Sequence, residues 1–236
     1  MKHRVLMITT SNALMGDSGK PTGVWAEELA VPYYAMVDAG IGVELASPEG
    51  GPVPFDPASV KPRGQNGPVI ERFLGDEVAQ RKVKATLATS RVEASGFDAV
   101  FFPGGHGTMW DLPNDPGVTR AVESALASGK PVASVCHGVA ALVSARGSDD
   151  QSVVAGKRIN SFTNAEEAEA GLTQVVPFLL ESRLRDLGAR FENAGNWQPF
   201  AVRDGQLITG QNPQSSALVA HKLIEALGDA PLDDPA

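Results

Sequence analysis

Short apolar runs alternate along the chain with stretches whose apolar positions repeat at helical spacing. A short run bounded by polar, Gly or Pro residues is typical of a buried strand, whereas the longer periodic stretches predict helices. Strands are predicted at residues 4–9, 42–47, 98–102, 131–135 and 158–162, near 191, and as a hairpin over 200–209. The alternation predicts an α/β fold with a doubly wound, mostly parallel sheet and helices on both faces.

Helices are predicted at residues 24–39, 76–90, 116–128, 137–145 and 215–227, with another that ends near Gly188. Gly40 ends the first of these helices, which Pro32 is expected to interrupt, and Asp115 caps the third ahead of Pro116. We expect a single domain over residues 1–236, with a capping excursion near 48–76 that is rich in Pro and Gly. The tail at 228–236 is expected to be frayed.

Charge and cysteine content exclude several classes of protein. The 236 residues include 20 Lys and Arg against 28 Asp and Glu, a net charge of −8. The basic residues are scattered, so we expect no nucleic-acid partner. One cysteine cannot form an internal disulfide. The apolar run at 5–8 is too short for a signal sequence or a membrane span. We therefore expect a cytoplasmic protein that does not bind membranes.

Two predicted strand ends carry unusual residues. One strand runs into Gly104-Gly105-His106-Gly107 and another into Cys136-His137-Gly138. In α/β folds, ligands bind at the carboxyl ends of the strands. A helix N-terminus lowers the pKa of a thiol, so Cys136 is expected to be an ionised nucleophile; the alternative is a buried, inert cysteine. His137 is either an acid/base and oxyanion-binding residue or a simple helix cap.

Other groups in these segments are less specific. The Gly104-Gly105 pair either lets a ligand approach the backbone or merely forms a turn. The spacing fits neither a dinucleotide-binding motif nor a P-loop. With four histidines and no local zinc motif, we expect no dedicated metal site. Glu27 and Glu28, and the group Glu166, Glu167 and Glu169, are typical of solvated helix starts when considered alone.

The combination of these motifs resembles the PfpI-type branch of the class I glutamine amidotransferase-like superfamily, and more closely its glutathione-independent glyoxalases (glyoxalase III). Three further segments support the resemblance: Thr22-Gly23-Val24-Trp25-Ala26-Glu27-Glu28, Ser47-Pro48-Glu49-Gly50-Gly51 and Gly210-Gln211-Asn212-Pro213-Gln214-Ser215-Ser216. The similarity covers about residues 4–227. Ser134 stands where amidotransferases have glycine, which argues against glutamine amide transfer.

This resemblance implies a flavodoxin-like three-layer sandwich, a homodimer, and conversion of a small aldehyde, methylglyoxal or glyoxal, into lactate or glycolate without a cofactor. Cys136 would form a hemithioacetal with the aldehyde. The base would be His137, oriented by Glu167, or Glu28. Counting from Phe162 assigns the acidic residue to Glu167, with Glu166 as the neighbouring possibility.

The resemblance further implies that backbone N–H groups of Gly105 and His137 bind the oxyanion, and it places His106 beside the substrate. Two alternatives remain at this point. One is a holdase chaperone or a deglycase-like stress protein. The other is a thiol hydrolase or an isonitrile-hydrating enzyme, since the same nucleophile serves acyl chemistry.

Overall fold

The computed structural model describes residues 3–228, so the expected frayed tail lies outside the described residues except for Gly228. Nine strands are present in this part of the chain: β1 (Arg4–Ile8), β2 (Gly42–Ser47), β3 (Leu87–Ala88), β4 (Ala99–Phe102), β5 (Val132–Val135), β6 (Arg158–Ile159), β7 (Arg190–Phe191), β8 (Ala201–Asp204) and β9 (Leu207–Gly210). Seven of them form one sheet in the order β3-β2-β1-β4-β5-β9-β8. Only the β8–β9 hairpin is antiparallel; the other neighbours in this sheet are parallel. β6 and β7 form a separate parallel pair.

The same part of the chain contains eight α-helices: α1 (Ala26–Asp38), α2 (Pro68–Gly75), α3 (Glu77–Lys84), α4 (Thr108–Asp111), α5 (Pro116–Ala127), α6 (Asn164–Glu169), α7 (Leu180–Asp186) and α8 (Ser216–Ala226). Alternate residues of β1 separate the two faces of the sheet. Val5 packs in the buried cluster that contains Leu29 of α1 and Leu223 of α8. Leu6 packs in the cluster that contains Val122 of α5. The flavodoxin-like three-layer sandwich is therefore confirmed.

The order of the strands determines where a ligand can bind. From β1 the chain moves to β2 on one side, and β4 later pairs with the other side of β1. This reversal creates a topological switch point between β1 and β4, and a crevice forms there at the carboxyl ends of the strands. The segments that follow β1, β4 and β5 all begin at this edge.

Several local predictions are confirmed. The Asp115 side chain accepts a hydrogen bond from the Val118 N–H at 2.8 Å, and Pro116 opens α5. Gly40 has φ +78°, and α1 ends shortly before it. The expected interruption at Pro32 is wrong, because α1 continues through this residue for 13 residues in all.

Four segments differ from the prediction. The predicted helix at 76–90 ends at Lys84, and Leu87 then pairs with Ala46 at the edge of the sheet. The capping segment contains α2, which was not predicted. The predicted strand at 158–162 is limited to β6, outside the main sheet. The helix expected at 137–145 is instead a 3₁₀-helix over Cys136–Leu142.

The capping segment is attached to α1 by polar contacts. The Tyr34 hydroxyl donates to Asp76 at 3.0 Å. Arg72 of α2 binds both oxygens of Asp38 at 2.6 Å and lies 3.8 Å from the centre of the Tyr34 ring.

In the described part of the chain, no helix has the length and apolar character needed to cross a bilayer.

Candidate active site

Cys136 lies at a sharp bend directly after β5. Its φ is +57°, in the left-handed region that non-glycine residues adopt at a cost of about 1–3 kcal/mol. Gly138 follows, and a Cβ there would lie 2.3 Å from the carbonyl oxygen of Phe102. The bend therefore depends on this glycine. It directs the cysteine out of the sheet at the carboxyl edge of β4 and β5.

Cys136, His137 and Glu167 form a continuous chain of contacts. The Cys136 Sγ lies 3.3 Å from His137 Nδ1, and His137 Nε2 lies 2.7 Å from Glu167 Oε2. The other oxygen of Glu167 lies 2.9 Å from His106 Nε2. The side chains of His137 and Glu167 are 1% and 4% exposed, whereas that of His106 is 12% exposed. Solvent therefore reaches this group mainly beside His106.

The charges within this group determine which atoms carry protons. Burial alone would raise the pKa of Glu167, but His137 and His106 together hold this pKa far below its usual range. Burial lowers the pKa of His137, and the nearby His106 adds to the effect. At neutral pH, a neutral His137 therefore donates its Nε2–H to an ionised Glu167. Its Nδ1 is then left as an acceptor facing the sulfur.

The expected ionised Cys136 is wrong for the resting site. Burial raises the pKa of this thiol well above its ordinary value, and Glu28 raises it further, while the His137 backbone N–H opposes the shift. The prediction failed because it relied on an α-helix N-terminus. A seven-residue 3₁₀-helix replaces that helix, and the residue is only 3% exposed. The resting group is a thiol beside a neutral imidazole.

Glu28 enters the site from the first turn of α1. It is fully buried, and its Oε2 accepts a hydrogen bond from the Gly104 N–H at 2.9 Å. Burial raises the pKa of Glu28 to about 8, and interactions with the Cys136 thiol and the Gly104 N–H reduce the rise. Glu28 is therefore mainly protonated at neutral pH. Its Oε1 is buried without a hydrogen-bond partner of good geometry.

The loop after β4 lies tightly against the loop before α1. Gly105 has φ +104°, and a Cβ on it would lie 2.4 Å from both the Gly23 oxygen and the Trp25 nitrogen. A Cβ on Gly104 would lie 2.6 Å from Glu28 Oε2. The two glycines therefore allow this loop to pack against the Glu28 carboxyl and the loop before α1.

The structure separates the two adjacent glutamates of α6. Glu167 contacts both histidines, whereas the carboxyl group of Glu166 is hydrogen-bonded to the Thr163 N–H at 3.0 Å in a capping box. All of the predicted site side chains, Cys136, His137, Glu167, Glu28 and His106, are thus brought to one place. Gly105 lies in the same loop as His106.

Sequence reasoning missed an aromatic contribution. The Phe162 ring lies 4.4 Å from the His137 ring, and the Trp197 ring lies 5.5 Å from Phe162, centre to centre. Trp197 has φ +59° and comes from a segment without regular structure. No motif in the sequence marks it, since its position depends on how the chain folds beyond β7.

Three side chains have the geometry to bind a divalent cation. Ligand atoms of His106, His137 and Glu167 all lie within 4.8 Å of one another. Two imidazoles and a carboxylate are also the ligands of some catalytic zinc sites. A cation bound here would displace the protons that now join the histidines to Glu167. The sequence analysis did not predict this cluster, because the three residues are far apart in the sequence and form no local zinc motif.

Comparisons with known proteins identify a family and several relatives that this chain resembles. The model of the DJ-1/PfpI family matches residues 21–226. Glyoxalase 3 of Candida albicans is 30% identical over 231 residues, covering 94% of this chain and 97% of that protein. A crystal structure of glyoxalase III from Candida albicans superposes with a TM-score of 0.87 at 29% identity, covering 95% and 97% of the two chains. The Rapid Encystment Protein 24 KDa of Francisella tularensis gives a TM-score of 0.91 at 38% identity, with 95% and 99% covered.

Proposed function

The chain belongs to the DJ-1/PfpI family, and we propose that within this family it acts as a glutathione-independent glyoxalase, converting methylglyoxal or glyoxal into lactate or glycolate without a cofactor. The observation that carries this proposal is the buried chain of contacts that runs from Cys136 through His137 to Glu167, with a protonated Glu28 beside the sulfur. The similarity to Candida albicans Glyoxalase 3 supports the same reaction.

The first step is attack by the Cys136 sulfur on the aldehyde carbon. As the carbon–sulfur bond forms, the thiol proton moves to His137 Nδ1, 3.3 Å away, and Glu167 stabilises the resulting imidazolium. The imidazolium then passes this proton to the aldehyde oxygen, which becomes the hydroxyl of a hemithioacetal, and His137 is left neutral for the second step. We assign the backbone N–H groups of Gly105 and His137 to this oxygen; losing one such donor typically raises a barrier by about 2.7–4 kcal/mol.

The second step moves a hydrogen between the two substrate carbons. A base removes the proton from the carbon bonded to sulfur, which gives an enediolate, and the neighbouring carbon is then protonated to give a thioester. His137 is the better base, because it is neutral at neutral pH whereas Glu28 is mainly protonated. The protonated Glu28 is suited to act as the general acid in this step. Water then hydrolyses the thioester to the 2-hydroxy acid and regenerates the Cys136 thiol.

The closed site favours small free aldehydes over larger substrates. Cys136 is 3% exposed and His137 is 1% exposed. A two- or three-carbon dicarbonyl needs little room to reach the sulfur, whereas a glycated side chain of a protein must bring its backbone close to the entrance. This difference favours the glyoxalase reaction over the deglycase-like alternative.

The remaining alternatives make different demands on the site. A holdase would use exposed apolar surface; the large apolar residues exposed in the described part of the chain lie on separate segments: Leu14, Val37, Val78, Leu87 and Leu218. A holdase would keep its activity after Cys136→Ala. A thiol hydrolase or an isonitrile-hydrating enzyme would use the same sulfur, so the substrates distinguish it.

The direct experiment compares Cys136→Ser with the wild type. We expect consumption of methylglyoxal without glutathione to fall by roughly 10³-fold or more, because the hydroxyl is a far weaker nucleophile than the thiol in this setting. Ser134→Ala on the same strand is the matched control, since its hydroxyl is buried without a hydrogen-bond partner. It should keep its activity.

The wild type should be assayed in parallel against methylglyoxal, a simple amide and an isonitrile. Turnover of the amide or the isonitrile but not of methylglyoxal would reject the glyoxalase proposal. Lactate should be identified as the product by chromatography. The single-domain organisation, the homodimer and the cytoplasmic location remain predictions, which limited proteolysis, light scattering and cell fractionation test.

A further inference from the structure

Glu166 is a buried carboxyl group for which the proposed reaction has no use. It is fully buried next to Glu167. Its two oxygens accept hydrogen bonds from five donors: the Thr163 N–H (3.0 Å) and hydroxyl (2.9 Å) on Oε2, and the Trp197 N–H (2.9 Å), the Gln211 amide (3.0 Å) and the Asn212 amide (2.8 Å) on Oε1. All five donors are neutral groups.

A helix cap does not require this arrangement. A capping box needs only the contacts with Thr163. The three hydrogen bonds on Oε1 instead bind two distant segments, the loop at Trp197 and the turn after β9. Burying a carboxylate costs several kcal/mol, which only a full set of donors offsets. Glu166 therefore joins three parts of the chain at one point behind the active site.

Two of these connections lead to His137. On one side, the Thr163 oxygen that begins α6 accepts the Glu167 N–H at 2.9 Å, so the cap of α6 also fixes the base of the Glu167 side chain. On the other side, Glu166 holds the backbone of Trp197 at its unusual φ of +59°. The Trp197 ring then packs on Phe162, which packs on the His137 ring.

We infer that Glu166 is a positioning residue that fixes Glu167 and the Phe162–Trp197 pair against His137, so that the imidazole presents Nδ1 to Cys136. The inference rests on the proposed function only in taking Cys136 as the reacting group. Its test therefore uses the reactivity of the thiol itself, which does not depend on the identity of the substrate.

Alkylation by iodoacetamide provides this measurement, because Cys136 is the only cysteine in the chain. Glu166→Gln places an amide N–H₂ where every partner is a donor, which disrupts the cluster. We expect alkylation at neutral pH to slow about tenfold, equivalent to about 1.4 kcal/mol. Glu167→Gln should slow it at least as much. The double variant should be no slower than Glu167→Gln, because both changes act through His137.

The pH dependence of alkylation separates positioning from general destabilisation. The groups that determine the protonation of His137 are His106 from the loop after β4, and Glu167 and Glu166 from α6. If Glu166 holds Glu167 in place, Glu166→Gln should shift the acidic limb of the profile to lower pH, as Glu167→Gln does, because an imidazole without its carboxylate partner loses its proton at lower pH. A loss of stability alone leaves this limb unchanged.

Two further variants keep the test decisive. Asp115→Asn weakens a carboxylate cap on α5 and should leave alkylation unchanged despite its cost in stability. Gln211→Ala removes one donor from Glu166 without changing α6, so it tests the inference even if Glu166→Gln does not fold; we expect alkylation to slow about threefold. Unchanged alkylation in folded Glu166→Gln or Gln211→Ala, or additive losses in the double variant, would overturn the inference. Loss of methylglyoxal turnover bears only on the proposed function.

Discussion

Replacing Glu28 with glutamine should change how the stability of the protein depends on pH. The Glu28 carboxyl has a pKa of about 8 in the folded protein against an ordinary value of 4.5, chiefly because it is fully buried. The folded state therefore holds this proton more tightly than the unfolded state does. The resulting stabilisation is fully present below pH 4.5 and is lost as the pH rises through the folded pKa.

The size of the effect follows from the two pKa values. Between them, the free energy of unfolding falls by about 1.36 kcal/mol per pH unit through this group, so roughly 4 kcal/mol is lost between about pH 5 and pH 8. The glutamine side chain of the Glu28→Gln variant stays neutral at every pH. Its amide oxygen can also accept the hydrogen bond that Gly104 now donates to Glu28. The variant should thus resemble the protonated wild type.

Urea denaturation followed by tryptophan fluorescence measures this difference. We expect the free energy of unfolding of Glu28→Gln, relative to the wild type, to rise by about 4 kcal/mol between about pH 5 and pH 8. The exposed Glu225→Gln on α8 is the control, and it should follow the wild type. Parallel curves for Glu28→Gln and the wild type would refute the assignment of a buried, protonated Glu28. The variant should also lose glyoxalase activity, because an amide does not supply a proton.

Two other perturbations follow from the site. Gly104→Ala would force a Cβ to within 2.6 Å of Glu28 Oε2, so thermal unfolding should show a loss of about 1–3 kcal/mol together with reduced turnover. Gly96→Ala, where nothing lies within 4 Å of the added carbon, should leave turnover unchanged, and equal effects of the two substitutions would contradict the packing argument. Zn²⁺ added to the protein should inhibit turnover by binding His106, His137 and Glu167, and EDTA should reverse the inhibition. Equal zinc sensitivity in His106→Gln would exclude this cluster as the site.

The sheet was largely predictable because its strands are short apolar runs with clear ends. β2 occupies the predicted residues 42–47, and β1, β4 and β5 lie within a residue of prediction at their ends. Asp115 and Pro116 fixed the start of α5 through purely local chemistry. The edge strand β3 was not predicted because its two residues are too few to form an apolar run. A strand was predicted at the position of β6, but its pairing with β7 outside the main sheet was not.

The residues that form the site could be predicted, but the protonation state of the Cys136 thiol could not. The resemblance named Cys136, His137, Glu28 and Glu167, and the structure places all four together. The charge state of the thiol depends on burial and on Glu28, which approaches from another part of the chain. Neither the burial of the thiol nor the approach of Glu28 can be read from a strand followed by a helix in the sequence. For the same reason the contacts of Glu166 were not predicted, because its hydrogen-bond donors come from three separate segments.

Both margins of the central sheet discourage the addition of a strand from another molecule. On one side the final strand, β3, has only two residues. On the other side β8 is approached by β6, where the Arg158 N–H donates to Asp204 at 2.9 Å. Exposed, unpaired strand margins are the usual route to uncontrolled self-association. A second copy of this chain should therefore dock through helices or loops, and the two sheets should remain separate within any dimer.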